Sequence, residues 1–473
     1  MSIIAFVSSR GRASIWLTGS LLAIAACDPF ATIQAADPAL PDSVSISHER
    51  FRLSNGLEVV LHEDHTRPVI ATRLTAFVGS AQDPPNKRGL AHLVEHLMFT
   101  PPTAADQTNY SQLLDEAGAW GTNGQTDRDS TSYFTTAPRA ALPRILFAEA
   151  YRLTHHEEDV DDARVDHERT IVSSEGLIRF DAGRLGNLPG FVAAALYPPG
   201  HPYHVPPIGT RADLDGMSRA DEKEFFGKYY GANHLLLVVA GDFVTKNVED
   251  LIAREFSALP SGPPRESVPA QPSTLSFEQE LDVDADVSRG QVVVTWPLPS
   301  RRDPNLLRLQ TAAAYLGRTD HWPGLDNEDV TIGGGLVGSS ISFTMVLGAG
   351  TTPSDALAHF DRTIAVIEDR RFAINLETFV RGRSASLANA IYSLDTLAAR
   401  AVSLTNGVIY ADDPDYVADG FELVRSMGPE DVRDEINRYL PLDRRVVTFV
   451  YVNPRAPRAG RLIRARPPLK DFQ

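Results

Sequence analysis

Two strongly apolar runs, HLLLVVAGDF at 234–243 and RVVTFVYVN at 445–453, each follow a helical pattern, at 219–230 and around 429–439. A run this short and this apolar reads as a strand buried on both faces. The same order, helix then Val- and Leu-rich strand, closes both halves of the chain. The sequence therefore reads as one α+β unit used twice, each copy ~200 residues long. Between the copies crowd Pro260, Pro263, Pro264, Pro269 and Pro272, the strongest boundary signal in the chain. The expected architecture is α+β, with two homologous α/β sandwich-like domains at 46–258 and 275–457. A Pro-rich linker over 259–274 joins them, and a basic, Pro-containing tail follows at 458–473.

Within the first copy, FRLSNGLEVVLHE alternates around Asn55-Gly56, a hairpin signal, and VIATRLTAFVG continues as a strand. Helical patterns lie at 89–99, 108–117 and 138–154, with short strands near Trp120–Thr126 and Thr131–Thr136. The second copy opens with the strand QVVVTWPL at 291–298 and a helix at 304–317. Gly333-Gly334-Gly335 is not followed by Gly-Lys-Ser/Thr, so it reads as a loop or hairpin, not as a phosphate cradle.

Residues 1–26 hold no Asp or Glu, and after Arg12 runs ASIWLTGSLLAIAA. That stretch is too short to cross ~30 Å of hydrocarbon but suits the apolar core of a secretory signal. It ends in Ile24-Ala25-Ala26-Cys27, which resembles the lipobox of bacterial lipoproteins, and Cys27 is the sole cysteine. Lipidation at Cys27 is expected, with 27–45 as a tether; the alternative is cleavage after Ala35 or Ala36, with Cys27 discarded. Either way the chain is read as exported and periplasmic, and lipidation would anchor it at the bacterial inner membrane. One cysteine excludes a disulfide framework and a Cys-rich zinc module, so any metal site must use His, Asp or Glu. The net charge of −16 argues against nucleic acid as a partner.

Chemistry concentrates in Gly89-Leu90-Ala91-His92-Leu93-Val94-Glu95-His96-Leu97-Met98-Phe99. On a helix, positions i, i+3 and i+4 share a face, so His92, Glu95 and His96 project together. Two imidazoles one turn apart can chelate a divalent ion at ~2.0–2.1 Å. A carboxylate beside them can take a proton from water that the ion acidifies. Alone, the spacing equally describes two surface histidines paired with a glutamate on a solvated helix. His155-His156-Glu157-Glu158 reads as a solvated acidic helix end, and His201 and His204 as packing or substrate-shaping residues.

The wider pattern resembles the insulinase/pitrilysin family of zinc peptidases, which includes the mitochondrial processing peptidases. The resemblance runs in order over roughly residues 48–245. It takes in NGLEVVLHED, GLAHLVEHLMF, Asn123-Gly124-Gln125-Thr126, Asp129-Ser130-Thr131-Ser132-Tyr133 and HERTIVSSE at 167–175. His201-Pro202-Tyr203, Tyr229-Tyr230 and Ala240-Gly241-Asp242 complete it. It implies a single Zn2+ held by His92, His96 and Glu175, with Glu95 as general base and Glu168 supporting a ligand from outside the coordination sphere. It further implies an edge strand at Asn123 that receives the peptide backbone as an added strand. Gly124 stands where family members usually have Ala. The Arg and Tyr that many members use to bind the substrate carbonyl find no counterpart in Leu316–Met345. A partner subunit, a second copy or a zinc-less homologue, is expected to supply them. The expected activity is zinc-dependent endopeptidase action on peptides or unfolded segments. Its rivals are a peptide-binding or assembly subunit with an idle metal site, and a protease dedicated to maturing one precursor.

Overall fold

The computed structural model describes residues 41–99, 110–266, 269–317 and 324–469. The signal segment and Cys27 lie outside the described residues, as do most of the tether and the last four residues of the tail. The chain begins its first sheet with β1 (Glu49–Arg52) and β2 (Glu58–Glu63), an antiparallel hairpin with Gly56 at φ 95° in its turn. Strand β3 (Val69–Ala76) leads into helix α1 (Leu90–Leu97) and helix α2 (Tyr110–Glu116). Strands β4 (Trp120–Thr126) and β5 (Thr131–Pro138) form the next hairpin. Helices α3 (Leu142–Thr154), α4 (His156–Asp159), α5 (Asp162–Gly176), α6 (Leu188–Leu196), α7 (Arg211–Asp215) and α8 (Arg219–Tyr229) follow. Strand β6 (Leu235–Gly241) and helix α9 (Thr245–Phe256) close the half.

The second half repeats the plan. Strands β7 (Gln279–Ala285) and β8 (Gln291–Leu298) precede helix α10 (Asn305–Leu316) and the hairpin β9 (Leu325–Gly334) and β10 (Ser339–Leu347). Helices α11 (Pro353–Glu368), α12 (Leu376–Tyr392), α13 (Leu397–Ala411), α14 (Tyr416–Arg425) and α15 (Pro429–Tyr439) come next. Strands β11 (Val446–Val452) and β12 (Arg461–Arg466) end it. The two six-stranded sheets run β1-β2-β6-β3-β5-β4 and β12-β7-β11-β8-β10-β9. In each, the one parallel contact joins the strands second and third in the sheet order, β2 with β6 and β7 with β11. The duplication is thus visible strand by strand. It has one exception: the first edge strand comes from the start of one half and from the far C-terminal end of the other.

Burial explains the apolar runs. In β6, Leu235, Leu237 and Val239 face a core with Leu74, Leu93, Leu97, Ile145, Phe226 and Ile252. The alternate residues Leu236, Val238 and Ala240 face Leu404 and Val408 of α13, a helix from the other half. The exchange is mutual: Phe191 and Leu196 of α6 cover Leu281, Val283 and Val446 of the second sheet. Each half lends a helix to the other's open sheet face, and each fully buried aliphatic side chain contributes ~1.5–3 kcal/mol.

Two polar strands escape the apolar pattern. Glu280, Asp282 and Asp284 alternate along β7 and meet Arg466, Arg464 and Arg461 of β12, with Arg464 Nε 2.6 Å from Asp282 and Arg461 Nη2 2.8 Å from Asp284. Residues 461–466, expected in a tail, are therefore an edge strand held by an acid–arginine ladder. A second correction concerns His156. Expected on a solvated helix end, it is buried, with Nε2 2.6 Å from Glu222 Oε1 and its ring stacked 3.9 Å from Phe226.

Candidate active site

Helix α1 is set by a carboxylate from outside it. Asp83 accepts the amide N–H of Gly89 at 2.7 Å and of Ala91 at 2.8 Å, meeting two of the donors that a helix start leaves free. Burial raises its pKa to about 7 against the pull of these two amides. Leu90, Leu93, Val94 and Leu97 sink into the core. The opposite face turns His92, Glu95 and His96 towards α5 and the edge strand β4, with His92 8% and Glu95 6% exposed.

Helix α5 is capped by Asp161, whose side chain accepts from the Arg164 amide. Its last turn delivers Glu175: Oε2 lies 3.4 Å from His96 Nε2 and 3.7 Å from His92 Nε2. Tetrahedral bonds of ~2.0–2.1 Å separate ligand atoms by about 3.4 Å. Both Glu175 separations approach that spacing, and all three ligand atoms lie within 4.8 Å of one another, so the three side chains can close on a zinc-sized ion. Among the described residues no other group of three His, Cys, Asp or Glu side chains brings ligand atoms together in this way. His201 and His204 bind the main-chain oxygens of Gln271 and Tyr197 instead.

Two turns before Glu175, Glu168 Oε2 stands 3.4 Å from His96 Nδ1, the ring nitrogen facing away from Glu175. A carboxylate there fixes the ring and its tautomer. Arg179, one turn after Glu175, pairs with its Oε1 at 2.9 Å. Burial opposes charge on His96, but hydrogen bonds to Glu168 and Glu175 outweigh it and lift its pKa to about 9. Burial, together with the charge on His96, drives His92 down to about 4. The hydrogen bond to His96 lowers Glu175, against its burial. Burial raises Glu95, opposed by a hydrogen bond from Thr126.

Strand β4 is the sheet edge nearest α1, and Asn123 is exposed on it, its Oδ1 accepting the Gly124 amide at 2.9 Å. Gly124 and Thr126, on the alternate face, touch Glu95. The Thr126 hydroxyl donates to Glu95 Oε2 at 2.6 Å. Sequence reasoning passed over Thr126, Arg179 and Asp83. The period-2 alternation of β4 and the i,i+4 spacing of Glu175 and Arg179 carried the signal for the first two.

The family description "Insulinase (Peptidase family M16)" matches residues 58–175, and "Peptidase M16 inactive domain" matches 216–347. The zinc protease PqqE of Helicobacter pylori is 31% identical over 217 residues, 45% of this chain and 47% of that protein. The chain thus spans less than half of the length of the curated relatives it matches most strongly. In fold, a protease from Helicobacter pylori has a TM-score of 0.76 at 20% identity, covering 86% of this chain and all of that one. The periplasmic protease PqqL from Escherichia coli has a TM-score of 0.71 at 16% identity, covering 88% of this chain and 48% of that one. With one description over the histidine helix and its flanks and the other over the start of the second sheet, the chain belongs to the insulinase family, peptidase family M16.

Proposed function

We propose that this chain is a zinc-dependent endopeptidase acting on peptides or unfolded segments. The observation that carries the reading is the meeting of His92, His96 and Glu175 at ligand spacing with the carboxylate of Glu95 beside them. When bound, zinc supplies Lewis acidity that makes water a better nucleophile and a scissile carbonyl a better electrophile. Glu168 keeps the His96 ring turned towards the site. Glu95 accepts the proton of the attacking water and returns it to the leaving amine, a task suited to a carboxyl whose burial raises its pKa. The free edge of β4 at Asn123 aligns the peptide backbone whatever its side chains.

The rest of the reading follows from the sequence. The domains divide at 46–258 and 275–457 around the linker. Residues 1–26 direct export to the periplasm, with Cys27 lipidated or discarded; no helix among the described residues is long and apolar enough to cross a membrane. Donors for the substrate carbonyl come from a partner, a second copy or a zinc-less homologous subunit. Changing Glu95→Gln tests the mechanism: zinc should stay at one per chain while cleavage of a quenched peptide falls by about 10²–10⁴. Undiminished cleavage would overturn it. Zinc without cleavage in the wild type would favour a peptide-binding subunit.

A further inference from the structure

We infer that Thr126, with Gly124, is a positioning residue that holds the Glu95 carboxylate for proton transfer. The inference rests on the reading of Glu95 as general base. Residues 124 and 126 lie two apart on β4 and so face the same side, towards α1. At 124 the lack of a side chain leaves room for the Glu95 carboxylate where it stands. A Cβ there would stand 2.5 Å from Glu95 Oε1, 2.8 Å from Cγ and 2.9 Å from Cδ. The carboxylate packs against the strand in this position, and a methyl at 124 would make it shift.

One residue pair further on, the Thr126 hydroxyl holds the second oxygen, Oε2, at 2.6 Å. Its proton has a defined destination. Thr131, the other hydroxyl within reach at 3.4 Å, donates its own proton to the Val78 carbonyl at 2.9 Å. Thr126 is left to donate to the carboxylate, in the short, charge-assisted form of hydrogen bond. Glu95 is therefore anchored at its tip by the strand that would receive the peptide, not by its own helix. Of its two oxygens one is tied, which removes rotation about the terminal torsion, normally broad for glutamate. The base is aimed before substrate arrives.

The test compares Thr126→Val, which keeps the shape without the hydroxyl, with Thr126→Ser, which restores it. Both are assayed with the full chain loaded with zinc against one quenched peptide. Expected for Thr126→Val is a fall in kcat of about tenfold to hundredfold, with KM within about twofold and zinc still one per chain. Thr126→Ser should recover to within about threefold of wild type. In metal-free protein, the thermal shifts of Thr126→Val and Glu95→Ala should be non-additive, because the two changes delete one contact. A kcat for Thr126→Val near that of wild type overturns the inference alone, as does a serine variant no better than the valine, or additive thermal shifts. A wild type that cleaves nothing overturns the parent reading and this one with it, whatever the metal-free cycle reads.

Discussion

Helices α1 and α10 hold equivalent places beside two sheets of the same strand order, yet they meet their neighbours in opposite ways. Between α1 and α5 stand two imidazoles and two carboxylates, and the Nδ1 of His92 is buried without a hydrogen-bond partner. Along α10 the inward residues are Leu309, Ala312, Ala313 and Leu316, all buried in an apolar core. There α12 comes in so close that a Cβ on Gly382 would lie 3.4 Å from the backbone nitrogen of Tyr315. One pair meets through polar groups and the other packs closely at a glycine. The fold does not need the site; the first half holds desolvated charge that the second replaces by packing, the usual relation between a functional site and stability.

The comparison breaks most sharply on metal content. His96→Ala should take bound zinc from one per chain to near none and abolish peptide cleavage, read by elemental analysis and a quenched-peptide assay. Gln310→Ala on α10 should change neither. Two ions per chain, or zinc that survives His96→Ala, would mean that the halves do not differ as described.

Metal uptake should also depend on pH in a fixed direction. With His96 raised to about 9 and His92 lowered to about 4, the metal-free pair carries one proton at neutral pH, on His96. An incoming cation must expel it. Zinc affinity should therefore rise ~tenfold per pH unit from pH 6 towards 9 and flatten above. Competition titrations across that range measure it, and calorimetry in buffers of different ionisation enthalpy counts the proton. A flat profile would remove the proton from His96.

Much of this was legible before any coordinates. The alternation around Asn55-Gly56 and the apolar runs of β3, β6, β8 and β11 name the sheets, and the i, i+3, i+4 spacing of His92, Glu95 and His96 names one face of α1. The strands β7 and β12 are illegible singly. QELDVDA and RLIRAR each look like solvated chain until the acids of one find the arginines of the other, some 180 residues away. For Thr126 the alternation of β4 gives the face but not the partner, since the carboxylate that gives it meaning lies on another element. The amphipathic pattern of α13 is readable, but not that its apolar face covers the other half's sheet.

A smaller effect sharpens the packing side of the comparison. Gly382→Val should split α10 from α12, because branched methyls have no room against the Tyr315 backbone. A loss of about 1–3 kcal/mol in stability is expected, with zinc content unchanged. Gly382→Ala should be close to neutral, as the helix propensity gain of ~1 kcal/mol offsets the tight contact. Valine tolerated as well as alanine would show that α10 and α12 do not pack closely at Gly382.

The smallest expected effect lies where the exchanged helix α13 is tied down. Asp64, just after β2, pairs with Arg400 of α13 and accepts from Thr66. Burial raises its pKa, but the Thr66 hydrogen bonds and the Arg400 guanidinium outweigh it and hold the carboxyl at about 2, below the ordinary 3.8. A carboxyl depressed by folding stabilises the folded state above its unfolded pKa, and that stabilisation drains away as pH falls from about 3.8 through 2. At α6, the counterpart helix, Asn187 reaches the Gly460 carbonyl with an uncharged side chain, which has nothing to titrate. Asp64→Asn should therefore lower the melting temperature by about 1–2 °C at neutral pH, with the gap to wild type closing in acid. Asn187→Asp should lower it by an amount that grows above pH 4, since the new carboxylate would face a carbonyl oxygen. If both variants show the same pH profile, the two exchanged helices are held by the same forces, and the asymmetry between the halves stops at α1 and α10.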